Sequence, residues 1–596
     1  MVQEVSLKPN FLVAGFSQMA VSILYLLPLI FALLNADVFG YQSLLAYFGF
    51  TIFASVSSIA IVIKLKKITI TSLYQALVFL ALVLYFFILG TIENKINLTH
   101  YYWISLFLYV LSIALWQPSI SLQLLMLRAI GAIAFIEAVI VILQWLSIIP
   151  PKNEYFKCTG TWHNPNVTAI FLSLCIYSIL LTVSTYKKTY LIYTKIGIVW
   201  LALVALQSRT AILVAIVFTI GHFIENYKRL ENKKQIMNKR LLIILSMLII
   251  TVVFLFLSFG IKTASTNGRL QIWKNSVSLF WQKPLFGQGA GLFEKSYNFF
   301  IAQNKLPSND YVNMPYNDFI ELGIEGGFIA IFMWCVFIVI ISIYRYKMGY
   351  SLLPVVGWLI IEVTNFGFQA FPAFALFLLY CFLPSGNRTT TMELRKIESV
   401  YTSLPQTTLL KLSTIIRITI IVLSFLLLMH QVFLANALFT THKLNYDSNT
   451  NRITPNEAVE EYARFSDIAS SSELYHRSYG LAFLKAKLYV PAINQYLLAT
   501  NFSSNPIIWQ QLAYSYMQLK KYDSTQYYYQ LVENLQPKKL MPKINLLNFY
   551  LQRKDTIAAI IKAKEILAVN IKIDNKKTNE MKIYAEKILH NLQSPH

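Results

Sequence analysis

Charged residues are scarce in this chain. Asp, Glu, Lys and Arg make up 13% of its 596 residues, whereas 56% are hydrophobic and the mean hydropathy is +0.53. Soluble domains carry about twice that charged fraction, so a soluble protein is excluded. We expect an integral membrane protein, in which apolar segments of about 17 to 25 residues each cross roughly 30 Å of hydrocarbon.

Cysteine is also rare. Only Cys158, Cys175, Cys335 and Cys381 occur, and only Cys158 lies outside a predicted membrane helix. These spacings predict neither a disulfide framework nor a zinc site. The outer links contain no Asp-x-Asp-like pair and no histidine cluster, which are the features from which a metal site would be built. We therefore expect no metal and no other cofactor.

Negative charge is scarcer than positive charge, and the formal net charge is +23. A basic chain could bind nucleic acid. Here, however, Lys and Arg concentrate in short links between apolar runs, which is the positive-inside pattern of membrane proteins. These links are residues 64–67, 186–188, 227–240, 344–347 and 384–412. If all of them are cytoplasmic, the N-terminus is inside, whereas residues 261–321 and everything after about 436 are outside.

The apolar runs predict about thirteen membrane helices. Their approximate bounds are 12–34, 42–63, 70–90, 102–116, 124–147, 167–184, 190–206, 210–226, 241–260, 322–343, 351–367, 371–383 and 413–435. The first run lacks a small-residue cleavage site, so we interpret it as a retained helix and not a signal peptide. The predicted fold class is all-α: a polytopic helical bundle at 1–436, which includes the large loop 261–321, and a separate domain at 437–596.

Residues 437–596 are polar, rich in tyrosine and helical in period. Between 473 and 572 the sequence resembles itself at a period of about 33 to 34 residues, as in tetratricopeptide repeats, where small and aromatic residues pack paired helices. The residues at these positions are Gly480, Phe483, Ala492, Tyr496 and Ala499, then Trp509, Leu512, Ala513, Tyr516, Tyr529 and Pro537, and more weakly Tyr550 and Ala559. Such an array usually holds a peptide or protein; bracing of the large loop or dimerisation is the alternative.

Four unusually polar patches are expected on the outer face. They are GTWHNPN at 160–166, QSRT at 207–210, the stretch 267–293 that opens the large loop, and VNMPYNDFIELGIEGG at 312–327. A guanidinium between apolar helices is costly unless it meets an anion, water or headgroups. Arg209 and Arg269 therefore predict a site for phosphate oxygens, which arginine binds in bidentate fashion. Alternatively, Arg209 reaches a lipid phosphate and Arg269 is a solvated loop charge.

Together the patches resemble the O-antigen ligase superfamily of membrane glycosyltransferases, which includes related polymerases and bacterial O-linked oligosaccharyltransferases. The resemblance covers approximately residues 150–385. The residues that carry it are Asn164 to Asn166, Ser208 with Arg209, Arg269 with Trp273, the segment PLFGQGAGLF at 284–293, and YNDFIELGIEGG at 316–327.

This resemblance implies a GT-C-like enzyme of the bacterial inner membrane, with the large loop and the repeat domain in the periplasm. It would transfer a glycan from a polyprenyl-diphosphate carrier to an acceptor, without a nucleotide sugar or a metal. Arg209 and Arg269 would hold the diphosphate and stabilise its growing charge. The other substrate-binding residues would be Asn164, Asn166, Trp273, Gly287 and Gly289.

The chain departs from the family at the residue that most often activates the acceptor. Family members commonly carry His-Asn where this sequence has Tyr316-Asn317. Because tyrosine is a weak base near neutrality, this pair could simply orient the acceptor hydroxyl. The other candidates for the base are Asp318, Glu321 and His163. The two carboxylates could instead stabilise the first turn of a helix, and the histidine could pack beside Trp162.

Two further features have more than one interpretation. Gly287, Gly289 and Gly291 could cradle a phosphate, but close backbone packing is favoured because no strand precedes them. Glu137 and Glu362 lie within predicted membrane helices, where carboxylates are candidate functional groups. A proton-coupled transporter would use such groups.

Three acceptors fit the predicted enzyme. The repeat domain favours Ser or Thr of a protein, ligation to a lipid A core would make the protein an O-antigen ligase, and a growing polysaccharide would make it a repeat-unit polymerase. A transporter or flippase is expected to show duplicated membrane segments, which this sequence lacks. A non-catalytic scaffold would not require so many membrane helices. We expect no nucleic-acid partner.

Overall fold

The computed structural model describes residues 26, 42–64, 70–116, 120–183, 189–230, 263–307, 310–382, 406–570 and 575–593. These residues form helices and connecting loops, with no strand among them, so the predicted all-α fold class is confirmed. The predicted membrane helices 12–34, apart from Leu26, and 241–260 lie outside the described residues. So do most of the basic links, including 384–412 apart from its last residues.

Seven apolar helices make up the first part of the bundle. They are α1 (Gln42–Lys64), α2 (Ile70–Ile92), α3 (Leu98–Trp116), α4 (Ile120–Trp145), α5 (Pro165–Leu181), α6 (Thr189–Leu206) and α7 (Arg209–Leu230). They form where apolar residues run without interruption, and polar or proline residues end them. At α5, for example, the Asn164 side chain caps the helix and Pro165 occupies the first turn, where its missing N–H costs nothing.

Four helices complete the bundle and two more lie outside it. The bundle helices are α10 (Asp318–Lys347), α11 (Leu353–Thr364), α12 (Phe371–Phe382) and α13 (Gln406–Asn449), and the segment predicted as a large loop contains α8 (Thr263–Phe280) and α9 (Phe293–Asn304). In the described part of the chain, four helices are long and apolar enough to cross a membrane, and six shorter apolar helices accompany them. The chain is therefore a multi-pass membrane protein.

The structure differs from the predicted bounds at three places. The predicted loop 261–321 contains two helices, Thr263–Phe280 and Phe293–Asn304. The predicted domain boundary at 436 falls inside α13, which continues unbroken to Asn449. The helices α11 and α12 have only 12 residues each, or about 18 Å, which is shorter than the hydrocarbon layer. Residues 365–370 between them are not helical, and such backbone is tolerated at membrane depth where it lines a cavity.

A backbone lock joins the glycine-rich segment 284–291 to a break in α10. At Gly327, with φ of 67° and ψ of −164°, α10 is interrupted, which leaves helix carbonyls without their usual partners. The amides of Gln288 and Gly289 fill these positions and donate to the carbonyl oxygens of Ile324 and Glu325 at 2.7 and 2.9 Å. A Cβ atom at Gly287 would lie 2.5 Å from the backbone of Glu325. The glycines therefore permit backbone-to-backbone packing.

Loops and helix ends from both halves of the bundle meet at one end, which we call the site end. Four hydrogen bonds define it: Tyr47 Oη to Leu98 O (3.1 Å), Asn97 Nδ2 to Ala290 O (2.8 Å), Cys158 Sγ to Ala205 O (3.3 Å), and Thr210 Oγ1 with Thr364 Oγ1 (2.8 Å). All four predicted patches lie at this end. The basic pair Arg345 and Lys347 lies at the other end of α10.

After α13 the chain forms a helical array, which we define as residues 455–593. Its helices are α14 (Pro455–Ala463), α15 (Ser466–Ala469), α16 (Glu473–Lys485), α17 (Tyr489–Ala499), α18 (Pro506–Gln518), α19 (Tyr522–Leu535), α20 (Leu540–Gln552), α21 (Thr556–Ala568) and α22 (Lys576–Gln593). From α16 onward, each helix packs on the next. A Cβ at Gly480 would lie 3.0 Å from the Tyr496 ring, so a small residue faces an aromatic one between α16 and α17.

The array packs on the helix α9 of the large loop, and α8 shares the apolar core between them. Leu279, Phe293, Tyr297 and Ile301 of the loop share one apolar core with Ile508, Trp509, Leu531 and Leu535 of the array. Polar contacts surround this core: the backbone N–H of Ser504 donates to Glu294 Oε1 (3.1 Å), and Asn534 Nδ2 donates to Ala302 O (3.0 Å). The array therefore braces α8 and α9 against the bundle.

Candidate active site

The first part of the site is an arginine stacked on a tyrosine. The guanidinium carbon of Arg269 on α8 lies 4.7 Å from the centre of the Tyr316 ring, and its Nη1 donates to the carbonyl oxygen of Thr364 at 2.8 Å. One turn later, Trp273 Nε1 donates to the carbonyl oxygen of Pro315 at 2.8 Å. The i, i+4 spacing puts both side chains on one face of α8, where they hold the segment that carries Tyr316.

Tyr316 and Asn317 form a rigid corner at the start of α10. Tyr316 has a left-handed backbone, with φ of 57°. Asn317 caps α10: its Oδ1 accepts from the N–H of Ile320 at 3.0 Å and its Nδ2 donates to the carbonyl oxygen of Val363 at 2.8 Å. The corner is thus fixed between α8 and the end of α11.

Arg209 approaches the same place from the first turn of α7. The next residue, Thr210, shares a hydrogen bond with Thr364, whose carbonyl also binds Arg269. Burial lowers the pKa of the Arg269 guanidinium, and the positive charge of Arg209 adds to this effect, while Tyr316 opposes it. Two cations near the positive end of a helix dipole create a site where an anion is stabilised.

The second part of the site is a cavity of about 510 Å³ beside this corner. Most of its wall is apolar, with a few polar groups, which is typical of ligand sites. The residues that line it include Tyr47, Thr99, Tyr102, Trp103, Trp162, His163, Asn164, Glu294, Glu321, Glu325, Phe368 and Gln369. The first and fourth patches therefore meet here. The described lining does not include Arg209, Arg269 or Tyr316. Arg269 instead contacts Thr364, and the Tyr316 ring packs against Phe366.

Two carboxylates connect the cavity to the arginine corner, a name that we use for Arg209, Arg269, Tyr316 and Asn317. Asp318 Oδ2 accepts from the N–H of Gly367, and Glu321 Oε1 accepts from Gln369 Nε2, both at 2.8 Å. The second oxygen of each is buried and has no hydrogen-bond partner among the described residues. Asn317 already caps α10, so these carboxylates are not needed as caps. They instead accept hydrogen bonds from residues of the segment 365–370. Of these two carboxylates, Glu321 also lines the cavity, as Glu294 and Glu325 do, so a ligand there can reach it.

The remaining predicted residues are His163, Asn164, Asn166, Gly287 and Gly289, and all of them form hydrogen bonds with other residues of the protein. His163 is exposed at the cavity while Trp162 is buried, and Asn166 donates its N–H to Asn164 Oδ1 at 3.0 Å. Gly287 and Gly289 donate their amides to the carbonyl oxygens of Lys283 and Glu325, so in this structure these amides bind protein. In the part of the chain that the structure describes, His, Cys, Asp and Glu do not gather in groups of three that could hold a metal.

The two carboxylates inside the bundle are held by protein donors. Glu137 Oε1 accepts from the N–H of Thr161 at 2.8 Å, which fixes the GTWHNPN loop. Glu362 Oε1 accepts from the indoles of Trp334 and Trp358 at 2.8 and 2.6 Å. Both side chains therefore have a positioning role in the geometry seen here.

The central segment of the chain is similar to a known family. Residues 174–335 match the O-antigen ligase family model. The matched segment contains both arginines, the Tyr316-Asn317 corner and the carboxylates Asp318 and Glu321, and it begins after the GTWHNPN loop. No curated protein matches the chain. The O-antigen ligase match and the multi-pass bundle together support membrane glycan transfer from a lipid-linked donor.

Several groups of the candidate site were missed by sequence reasoning. Thr364 binds Arg269, and Gln369 and Glu294 line the cavity. None of the three lies in the four polar patches. One signal was available: NFGFQA at 365–370 is a polar, glycine-bearing break between two apolar runs. Such a break at membrane depth indicates backbone that lines a cavity.

Proposed function

We propose that this protein transfers a glycan from a polyprenyl-diphosphate carrier to an acceptor hydroxyl at the periplasmic face of the bacterial inner membrane. The observation that carries the proposal is the convergence of Arg269, Tyr316, Asn317 and the start of α7 on the end of α11. Arg269, Tyr316, Asn317 and the start of α7 lie in the segment 174–335 that matches the O-antigen ligase family model, and the end of α11 follows that segment.

The arginine corner is the proposed diphosphate site. In the reaction, the acceptor oxygen bonds to the anomeric carbon while the bond from that carbon to the diphosphate oxygen breaks. Negative charge then grows on the diphosphate, and Arg209 and Arg269 stabilise it. The positive end of the α7 helix dipole also stabilises this negative charge. The stacked Tyr316 holds the Arg269 fork in one orientation.

The cavity is the proposed acceptor and sugar site. Its aromatic walls suit the apolar faces of sugar rings, while Asn164, Glu294 and Gln369 offer hydrogen bonds to hydroxyl groups. Glu321 is the proposed base that takes the proton of the acceptor hydroxyl, since it lines the cavity and its buried second oxygen has no hydrogen-bond partner among the residues that the structure describes. Tyr316 and Asn317 then orient the substrate.

The acceptor that we favour is a Ser or Thr hydroxyl of a protein. We propose that the helical array is a tetratricopeptide-like periplasmic domain that guides such an acceptor. Its direct contact with Glu294, which lines the cavity, supports this role. A lipid A core, as in O-antigen ligation, is the second acceptor, and a growing polysaccharide is the third.

The test is transfer by the purified protein from a polyprenyl-diphosphate glycan, in the presence of a chelator, to a peptide, a lipid A core or a second donor molecule. We expect product only with the true acceptor and at least about a hundredfold less with Arg209→Ala or Arg269→Ala. The matched control is Arg452→Ala, because Arg452 also stacks on a tyrosine, Tyr446, at 5.2 Å, but lies at the array.

Each acceptor gives a different product. A glycosylated peptide supports protein glycosylation, a glycosylated lipid A core supports ligation, and a lengthened glycan on the carrier supports polymerisation. Full activity of both arginine variants would overturn the proposed diphosphate site. Movement of the donor across vesicles without any transfer would support a flippase instead.

A further inference from the structure

Three lysines surround one carboxylate at the site end. Lys95 Nζ lies 2.6 Å from Glu93 Oε2, and Lys283 Nζ lies 3.3 Å from Glu93 Oε1. Lys95 and Glu93 belong to the link between α2 and α3, and Lys283 precedes the glycine-rich segment. Lys295, in the first turn of α9, is close enough to interact electrostatically with both lysines. We call these four residues the lysine cluster.

The lysine cluster has more positive charge than its neighbours neutralise. Burial and the nearby charges of Lys95 and Lys283 lower the pKa of Lys295 to about 8, although Glu93 and Glu294 oppose this. The other nearby carboxylate, Glu294, accepts hydrogen bonds from Ser504 N and Asn298 Nδ2. Even with both carboxylates ionised, the three lysines leave an excess positive charge, so an anion would be stabilised there.

The surface beside the lysine cluster is apolar and exposed. Ile88 and Ile92 on α2, with Trp281, Leu285 and Phe286 in the segment after α8, are all more than half exposed. The α2 and α10 helices pack together here: Tyr85 Oη donates to the carbonyl oxygen of Gly326 at 2.6 Å. Exposed aliphatic residues with a tryptophan next to lysines are typical of the level where membrane hydrocarbon meets headgroups.

We propose that Lys95, Lys283 and Lys295 bind the phosphate of a membrane-lipid headgroup, whose chains lie on the surface formed by Ile88, Ile92, Trp281, Leu285 and Phe286. This site is distinct from the arginine corner, which contacts the end of α11. It borders the cavity at the part of the wall that Thr99, Gly291 and Glu294 line. The proposal does not depend on the proposed transfer reaction.

The test compares lipid retention by the full-length protein in native mass spectrometry. The protein is exchanged into mixed micelles of phosphatidylglycerol and phosphatidylcholine. We expect preferential retention of phosphatidylglycerol, and a loss of at least about tenfold in that preference when all three lysines are replaced by glutamine. Inorganic phosphate, used as a competitor at millimolar concentration, should not displace the lipid.

Two further variants make the result specific. The control replaces Lys521, Lys564 and Lys577, three exposed lysines of the array, by glutamine; it removes the same charge and should keep the lipid preference. Glu93→Gln removes the only carboxylate of the lysine cluster and should raise phosphatidylglycerol retention by about two- to fivefold, which misfolding cannot mimic. Equal retention by the wild type and the triple cluster variant would overturn the proposal, as would displacement by inorganic phosphate.

Discussion

At the scale of single residues, the site contains buried carboxylates that lack some of their usual hydrogen bonds. Asp318 and Glu321 each use one carboxylate oxygen on the segment 365–370 and leave the other buried without a partner in the described residues. A buried polar atom without a hydrogen bond is costly. Such atoms are therefore expected where a substrate supplies the missing partner.

Replacing Glu321 by glutamine tests its role as the base. The amide keeps the shape of the side chain but cannot take a proton, so we expect kcat to fall about a hundredfold or more. His163→Gln, at the same cavity, should change kcat by less than about threefold. The control is Glu362→Gln, a buried carboxylate held by two tryptophans.

The measurement is initial-rate transfer by each purified variant after its folding has been checked. If His163→Gln removed activity while Glu321→Gln retained it, the histidine would be the base and the assignment of Glu321 would be wrong.

At the scale of elements, the break in α10 positions the carboxylates. Gly327 is in a backbone region that is essentially restricted to glycine, and a Cβ there would lie 2.2 Å from the carbonyl oxygen of Leu285. Gly349 also has a positive φ, of 66°, but a Cβ there would meet no atom within 4 Å. Comparing substitutions at these two glycines therefore distinguishes the effect of backbone strain from the effect of a steric clash.

We expect Gly327→Ala to lower the free energy of unfolding by at least about 3 kcal/mol, because it adds a clash to strain of about 1–3 kcal/mol. Gly349→Ala should cost only about 1–2 kcal/mol. Thermal unfolding in detergent provides the comparison. Equal losses in the two variants would show that the backbone lock contributes no stability.

The contact between α9 and the array has a predicted pH dependence. Burial raises the pKa of Glu294, despite hydrogen bonds from Ser503, Tyr311 and Ser504 that oppose the rise. A carboxyl group with a raised pKa in the folded state binds its proton more tightly there. Its contribution to stability is therefore fully present below its ordinary pKa of about 4.3 and is lost as the pH rises through the raised value.

Replacing Glu294 by glutamine should remove this dependence, because the amide oxygen can still accept from Ser504 but does not titrate. We expect the wild type to lose stability relative to Glu294→Gln as the pH rises above about 4.3 and through the raised pKa of Glu294. The readout is the difference in unfolding temperature between the two proteins at each pH. A constant difference would mean that Glu294 does not titrate on folding.

Elements differ in how far the sequence predicts them. Uninterrupted apolar runs located α1, α2 and α6 to within a few residues, because hydropathy alone sets these segments. The same criterion missed α8 and α9, whose residues are polar on average; the apolar face of α8 packs on α9 and α10, and that of α9 packs on the array. It also ended the last membrane helix at 435, since hydropathy cannot register that α13 continues beyond the bundle to Asn449.

Part of the site was predictable, because some of its residues stand in local sequence motifs. Arg209, Arg269 and Tyr316 stand in local motifs, and the structure brings their segments together at Thr364. The cavity has no local signal, because its walls come from α1, α3, the GTWHNPN loop, α10 and the segment 365–370. Only the packing of separate helices creates it.

At the scale of the whole molecule, the account requires that the site end and the array face the periplasm. In a Cys335→Ser background, which removes the exposed native cysteine, single cysteines can replace Asn304 on α9, Ile557 on the array and Tyr346 at the far end of α10. We expect an impermeant maleimide to label the first two in intact spheroplasts and the third only after permeabilisation. The reverse pattern would place the proposed site in the cytoplasm.

The most direct measurement of the central claim is the affinity of the purified protein, in nanodiscs, for a polyprenyl diphosphate without its glycan. The account predicts that Arg209→Ala and Arg269→Ala each raise the Kd by at least about tenfold, that Arg269→Lys recovers only part of this loss because it lacks the planar fork, and that Arg452→Ala leaves the Kd unchanged. Wild-type affinity in both alanine variants would contradict it.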